Sequence, residues 1–127
     1  MKVLYEILVP TQYGFPKTTP IRTRHHKEWD KFVQKITNGL TILSSARGKW
    51  THEGVEYPEK VIPVRVMCDE PFVPYDKSES LGAGYQDTSQ IDKIIHFTMC
   101  HYRQQAVMYY VVSKDVKVVY AQEYVGA

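Results

Sequence analysis

Hydrophobic positions alternate at the start of the chain. Val3, Tyr5, Ile7 and Val9 fall on one side, the two-residue period of a strand half buried against a core. Pro10 ends the pattern. Gly14, Pro16 and Pro20 then break residues 11–20 into a loop whose length hints at a functional or mobile role. Over residues 24–38 the period becomes helical: Trp29, Phe32, Val33 and Ile36 share one face, and Lys27, Glu28, Lys31, Gln34 and Lys35 take the wet side. Asn38-Gly39 supplies the stop. Residues 40–45 predict a second strand and residues 61–68 a third, in which Pro63 removes a ladder donor and so marks an edge, a bulge or an irregular start. Residues 69–88 are polar and interrupted by Pro71, Pro74 and Gly82-Ala83-Gly84, the composition of a long loop. Ser89 then caps a second helix, with Asp92 at the capping-box position and Ile91, Ile94, Ile95, Thr98, Met99 and Tyr102 as its buried stripe. Residues 106–112 are apolar throughout, which predicts a strand buried on both faces. A turn at Ser113-Lys114-Asp115 leads into a last strand over residues 116–121.

The resulting order, β-α-β-β-α-β with one further C-terminal strand, predicts a single α+β domain over residues 1–127, of the ferredoxin-like, split βαβ kind. Two helices cover one face of an antiparallel sheet. The strands carry apolar residues on both sides, so the second face needs a cover, and a homo-oligomer is expected to supply it.

Composition narrows the partners. The net charge of +2 produces no strong overall field, so neither a nucleic acid polymer nor a membrane is expected as a partner. No apolar run is long enough for a membrane span or a signal peptide, and Cys68 and Cys100 have no metal-type spacing. A reducing cytoplasm is the expected location. The ten tyrosines suit strands, interfaces and ligand pockets alike.

Candidate chemistry concentrates between the second and third predicted strands, where Trp50, His52, Glu53, Glu56, Tyr57 and Glu59 occur within a few residues. Two readings stand: a hairpin with its carboxylates in water, or the lip of a pocket for a cation, with ring faces attracting it and a carboxylate neutralising it. A second cluster, His25 and His26 beside Arg22, Arg24 and Lys27, lies at the first helix start. It reads as a solvated helix start or as an anion seat. His96 and His101, five apart on the second helix, do not share a face, which argues against a joint metal role. There is no glycine-rich phosphate loop.

Several features in this order resemble the small phage S-adenosylmethionine lyases, which share a ferredoxin-like, trimeric PII type of fold. They are the first helix ending before Gly39-Leu40, the Gly48-Lys49-Trp50 turn and Glu59-Lys60 just before VRVMC. A helix ending in tyrosine and glutamines and the run AVMYYV complete the set. The resemblance spans Leu4 to Tyr120. It implies a trimer with inter-subunit sites that cleaves S-adenosylmethionine, or its adenylated form as in CRISPR antiviral signalling. The products are methylthioadenosine, or its AMP conjugate, and homoserine lactone. It places Glu59 at the family's glutamate and Trp50 at its tyrosine, so that Tyr57 becomes the source of a hydroxyl. Glu59 and Tyr57 are then the expected catalytic residues, and Trp50, Glu56, His52, Arg22, Arg24, His25 and His26 the expected substrate contacts. The substrate's own carboxylate attacks its γ-carbon, so no cofactor or metal is expected. Residues 69–88 depart from the family pattern. A binding-only oligomer, a sensor or phage sponge for a nucleotide-like ligand, explains the same residues.

Overall fold

The computed structural model describes residues 2–69 and 89–123. Its elements are β1 (Lys2–Pro10), α1 (Thr23–Thr37), β2 (Thr41–Ile42), β3 (Ala46–His52), β4 (Val55–Asp69), α2 (Gln90–His101) and β5 (Tyr109–Ser113), followed by a 3-10 turn, Ala121–Glu123. The sheet is antiparallel, in the order β2-β4-β1-β5, and β3 also pairs with β4. This is the α+β, ferredoxin-like arrangement of a sheet with two helices. The long loop expected over residues 69–88 falls almost wholly outside the described residues.

The core follows the predicted pattern. Val3, Tyr5, Ile7 and Val9 of β1 lie opposite Cys68, Val66, Val64 and Ile62 of β4. All but the half-buried Ile62 are buried in one cluster with Trp29, Val33, Ile91, Ile94 and Ile95 of the helices. Trp29 is only 1% exposed, and its indole N–H donates to Thr98 Oγ1 at 2.8 Å. Thr98 in turn donates to the Ile94 carbonyl at 2.6 Å. One hydroxyl therefore satisfies the single polar atom of the largest core side chain. Phe32 and Phe97 stack at 4.0 Å between the helices. Ser89 caps α2 as expected: its hydroxyl accepts from the Asp92 amide at 3.3 Å and donates to Asp92 Oδ2 at 2.8 Å. Asn38 closes α1 in the left-handed conformation, with φ of 65°.

Pro63 breaks the ladder where the missing donor requires it. Its carbonyl accepts from Leu43 N at 2.9 Å, so its nitrogen faces the same neighbour and offers no proton. Pairing passes from Ile42↔Val64 to Ala46↔Val61, so four steps on one strand match three on the other. This separates β2 from β3.

Three expectations change. Most of the connection expected between strands is strand: β3 and the first part of β4 form a hairpin closed by Glu53 (φ 53°) and Gly54 (φ 78°). Two consecutive positive φ values make the primed turn that matches strand twist. The strand expected to be buried on both faces is instead an edge. Tyr109 to Val112 are 37–44% exposed, because β5 borders only β1. Residues 115–120 form no strand, so the expected last strand has no ladder partner among the described residues.

Residues 11–20 fold back on themselves rather than running loose. Tyr13 N donates to Thr19 O and Ile21 N to Thr11 O, both at 2.9 Å, and Gln12 bridges Pro20. A bundle of histidines and tyrosines ties this loop to both helices. The Tyr13 hydroxyl bonds His25 Nδ1, His26 Nδ1 meets the Tyr102 hydroxyl at 3.0 Å, and His101 Nε2 donates to the His25 carbonyl at 2.8 Å. Burial holds the His26 pKa below its ordinary value, against the opposing pull of Asp30. Gly14 completes the contact. Its N–H donates to Tyr102 O at 3.3 Å, and an added Cβ would run into the Arg103 carbonyl oxygen.

Thr98→Val is expected to leave the buried Trp29 N–H unpaired and to lower unfolding free energy by about 1–3 kcal/mol, read by urea denaturation. A histidine held below its ordinary pKa binds fewer protons folded than unfolded. Its contribution is therefore complete above the unfolded value of about 6.5 and is lost as pH falls from there through the lower folded pKa. The melting temperature should drop between about pH 7.5 and about pH 5.5, with a smaller drop in His26→Gln. Asp30, whose pKa is raised by burial, acts in the opposite sense and lower on the pH scale.

Candidate functional site

β4 is longer than the strand it lies against. β1 ends its pairing at Pro10↔Val61, while β4 continues back to Val55 with β3 as its sole partner. The result is a two-stranded ribbon standing off the sheet, with one β4 edge free of strand pairing among the described residues. Thr11 Oγ1 donates to the Lys60 carbonyl at 2.7 Å and fixes the base of this ribbon to the end of β1. That bond shows that the backbone polar groups of Lys60 face the free edge. Pro58, of the same parity, places a residue without an N–H on that edge, a common way of blunting it.

A groove of about 1200 Å³ lies at the ribbon base. One wall is segment 10–14 with Thr18, another is Arg47, Gly48, Lys49, Glu59 and Lys60, and the third is segment 104–106. Gln104 Nε2 donates to the Gln12 carbonyl at 2.8 Å and joins the first and third walls. Arg103 stacks over the Tyr13 ring at 4.3 Å, a cation–π contact just behind them.

Register sorts the acidic candidates. Gly48↔Glu59, Trp50↔Tyr57 and His52↔Val55 share one face of the ribbon; Arg47↔Lys60, Lys49↔Pro58 and Thr51↔Glu56 share the other. Trp50, His52 and Tyr57 are placed here by register alone. Glu59 thus belongs to the face of the two aromatic positions and lines the groove. Glu56 belongs to the opposite face and pairs with Lys49 at 3.6 Å. Glu53 sits in the turn at the ribbon tip. Partial burial raises the pKa of the Glu59 carboxyl.

The basic cluster of the first helix is placed elsewhere. None of Arg22, Arg24, His25 and His26 lines the groove. His25 and His26 engage Tyr13 and Tyr102, and Arg24 lies 4.0 Å from Glu28. Arg22 precedes the first helical turn and is exposed. His25 reaches the groove only through Tyr13, which lines it. Among the described residues, no three His, Cys, Asp or Glu side chains gather as a metal site, and no helix is long and apolar enough to cross a membrane.

Several groove residues escaped the sequence reading: Thr11, Gln12, Tyr13, Arg47, Lys60 and Gln104. One signal was present. A primed turn at Glu53-Gly54 fixes the register, and counting outward from it sets Arg47 opposite Lys60.

No family model and no curated protein matches the chain. Solved structures do match its fold. The divalent cation tolerance protein CutA1 from Thermus thermophilus aligns with a TM-score of 0.54 at 9% identity, covering 98% of this chain and 92% of that one. A phage SAM lyase in complex with S-methyl-5′-thioadenosine aligns with a TM-score of 0.54 at 14% identity, covering 95% of this chain and 91% of that one. The chain therefore has the fold shared by CutA1 and the phage SAM lyase.

Proposed function

We propose that the ribbon-base groove binds an adenosine-containing ligand of the S-adenosylmethionine type, and that the protein cleaves it as a lyase. The observation that carries this reading is the register of the ribbon. It sets the positions of Trp50 and Tyr57 on the face of Glu59, and Glu59 alone of the three candidate carboxylates lines the groove. The fold shared with a lyase in complex with S-methyl-5′-thioadenosine supports it.

The chemistry asks little of the protein. The substrate is a sulfonium and carries its own leaving group. When its carboxylate oxygen bonds to the γ-carbon, the carbon–sulfur bond breaks and its electron pair returns to sulfur. Methylthioadenosine and homoserine lactone result, and no proton need be transferred. Holding the reacting atoms in contact distance is the main requirement, and such orientation is worth up to about 10 kcal/mol. Opposite charges disappear along the way, so a drier groove favours the step. Glu59 takes the substrate ammonium and leaves the substrate carboxylate free to attack. Partial burial raises its pKa, and a bound cation would favour its ionised form. Trp50 and Tyr57 flank the sulfonium or the adenine, with His52 further along the same ribbon face. An adenylated substrate belongs to the same proposal.

A homo-oligomer completes the site. The sheet face turned from the helices carries Leu4, Leu8, Pro63 and Met67 around the Glu6–Arg65 pair, whose Nε–Oε1 distance is 3.0 Å. Beside it stands the exposed β5 edge. A trimer would cover this surface and bring a neighbour against each ribbon.

Sedimentation is expected to find a trimer; a monomer at micromolar concentration would contradict the inter-subunit site. Incubation with S-adenosylmethionine and with its adenylated form should yield methylthioadenosine, or its AMP conjugate, by mass spectrometry. Glu59→Gln should lower turnover at least about 100-fold without changing the assembly. Intact ligand after binding would overturn the lyase reading and favour a sponge or sensor.

A further inference from the structure

The ribbon places two positive charges directly opposite each other. Arg47 and Lys60 are cross-strand partners. The Lys60 carbonyl faces away from β3, toward Thr11, so the two residues form a non-hydrogen-bonded pair, the kind whose α-carbons stand about 4.5 Å apart. Like charges so placed destabilise a ladder unless something lies between them. Among the described residues neither has an acidic partner. The carboxylate on the same face, Glu56, is taken by Lys49. Both Arg47 and Lys60 are exposed, and both line the groove. The Lys60 amide N–H lies on the free β4 edge beside its carbonyl, adding a donor to the guanidinium and the ammonium.

We infer that Arg47 and Lys60 form an anion subsite that holds a phosphate group of the groove's adenosine ligand. The inference rests on the adenosine reading of the groove given above and adds to it a charge requirement. A guanidinium offers a planar fork and an ammonium a point charge, and both suit phosphate oxygens. Glu59 occupies the opposite ribbon face and lines the same groove, so the groove carries both signs of charge. A ligand with an ammonium at one end and a phosphate at the other satisfies both. The basic helix start, whose histidines are bound to tyrosines, is not needed for this role.

Calorimetry on the intact protein with adenosine, AMP and inorganic phosphate tests the subsite. AMP should bind at least about tenfold more tightly than adenosine, with the advantage shrinking as salt rises. Arg47→Gln and Lys60→Gln should each remove most of that advantage while leaving adenosine affinity within about twofold; Lys35→Gln, in the last turn of α1 and outside the groove, should change neither. Equal binding of adenosine and AMP by the native protein would overturn the subsite and leave the adenosine reading standing. So would an equal loss in all three variants, which marks general attraction. Phosphate binding that Lys60→Gln abolishes, with no gain from the adenosine moiety, would uphold the subsite and sink the adenosine reading. Absence of binding by all three compounds would overturn both.

Discussion

One mismatch of length governs this molecule: β4 outruns β1. β1 pairs with β4 up to Pro10↔Val61, and beyond that point, among the described residues, β4 pairs on one side only. The extra residues cannot lie flat in a sheet that has ended. They pair with β3 and stand off as a ribbon. The groove exists because segment 10–14 turns away beneath this ribbon instead of extending β1. Pro10 stops the strand, Gly14 permits the close approach to Arg103, and Thr11 bonds the turning chain to Lys60.

What holds segment 10–14 is the bundle of Tyr13, His25, His26, His101 and Tyr102. These residues come from a loop and two helices that are far apart in sequence. Their hydrogen bonds connect the groove wall to the helix start, and the helix start to the core through Trp29 and Thr98. His25 and His26, at the basic start of α1, bond Tyr13 and Tyr102 and so help to hold the wall. Burial holds the His26 pKa below its ordinary value.

The sequence made most of the architecture legible because its signals were local. Alternation in β1, the Trp29-Phe32-Val33-Ile36 face, the Ser89 cap and the Pro63 interruption each depend on neighbours a few residues away, and each is found in place. The differences arose where the determining partner is distant in sequence. Residues 106–112 are as apolar as a central strand, yet β5 is an edge in a single chain. Charge composition at the first helix read as a solvated start or an anion seat, and nothing local shows that Tyr13 and Tyr102 bond to its histidines. The ribbon lay between these cases. Its residues were singled out, as a hairpin or a pocket lip, but without the register that the Glu53-Gly54 turn imposes, which aligns Glu59 with Gly48 and Arg47 with Lys60.

The fold narrows the chemistry without naming it, and the groove carries the distinction. Amide chemical-shift mapping during a titration with methylthioadenosine measures this most directly. Perturbations should concentrate in residues 11–14, 47–49, 59–60 and 104–106, around the base of the ribbon. Perturbations confined to the start of α1, or none at saturating ligand, would contradict the account.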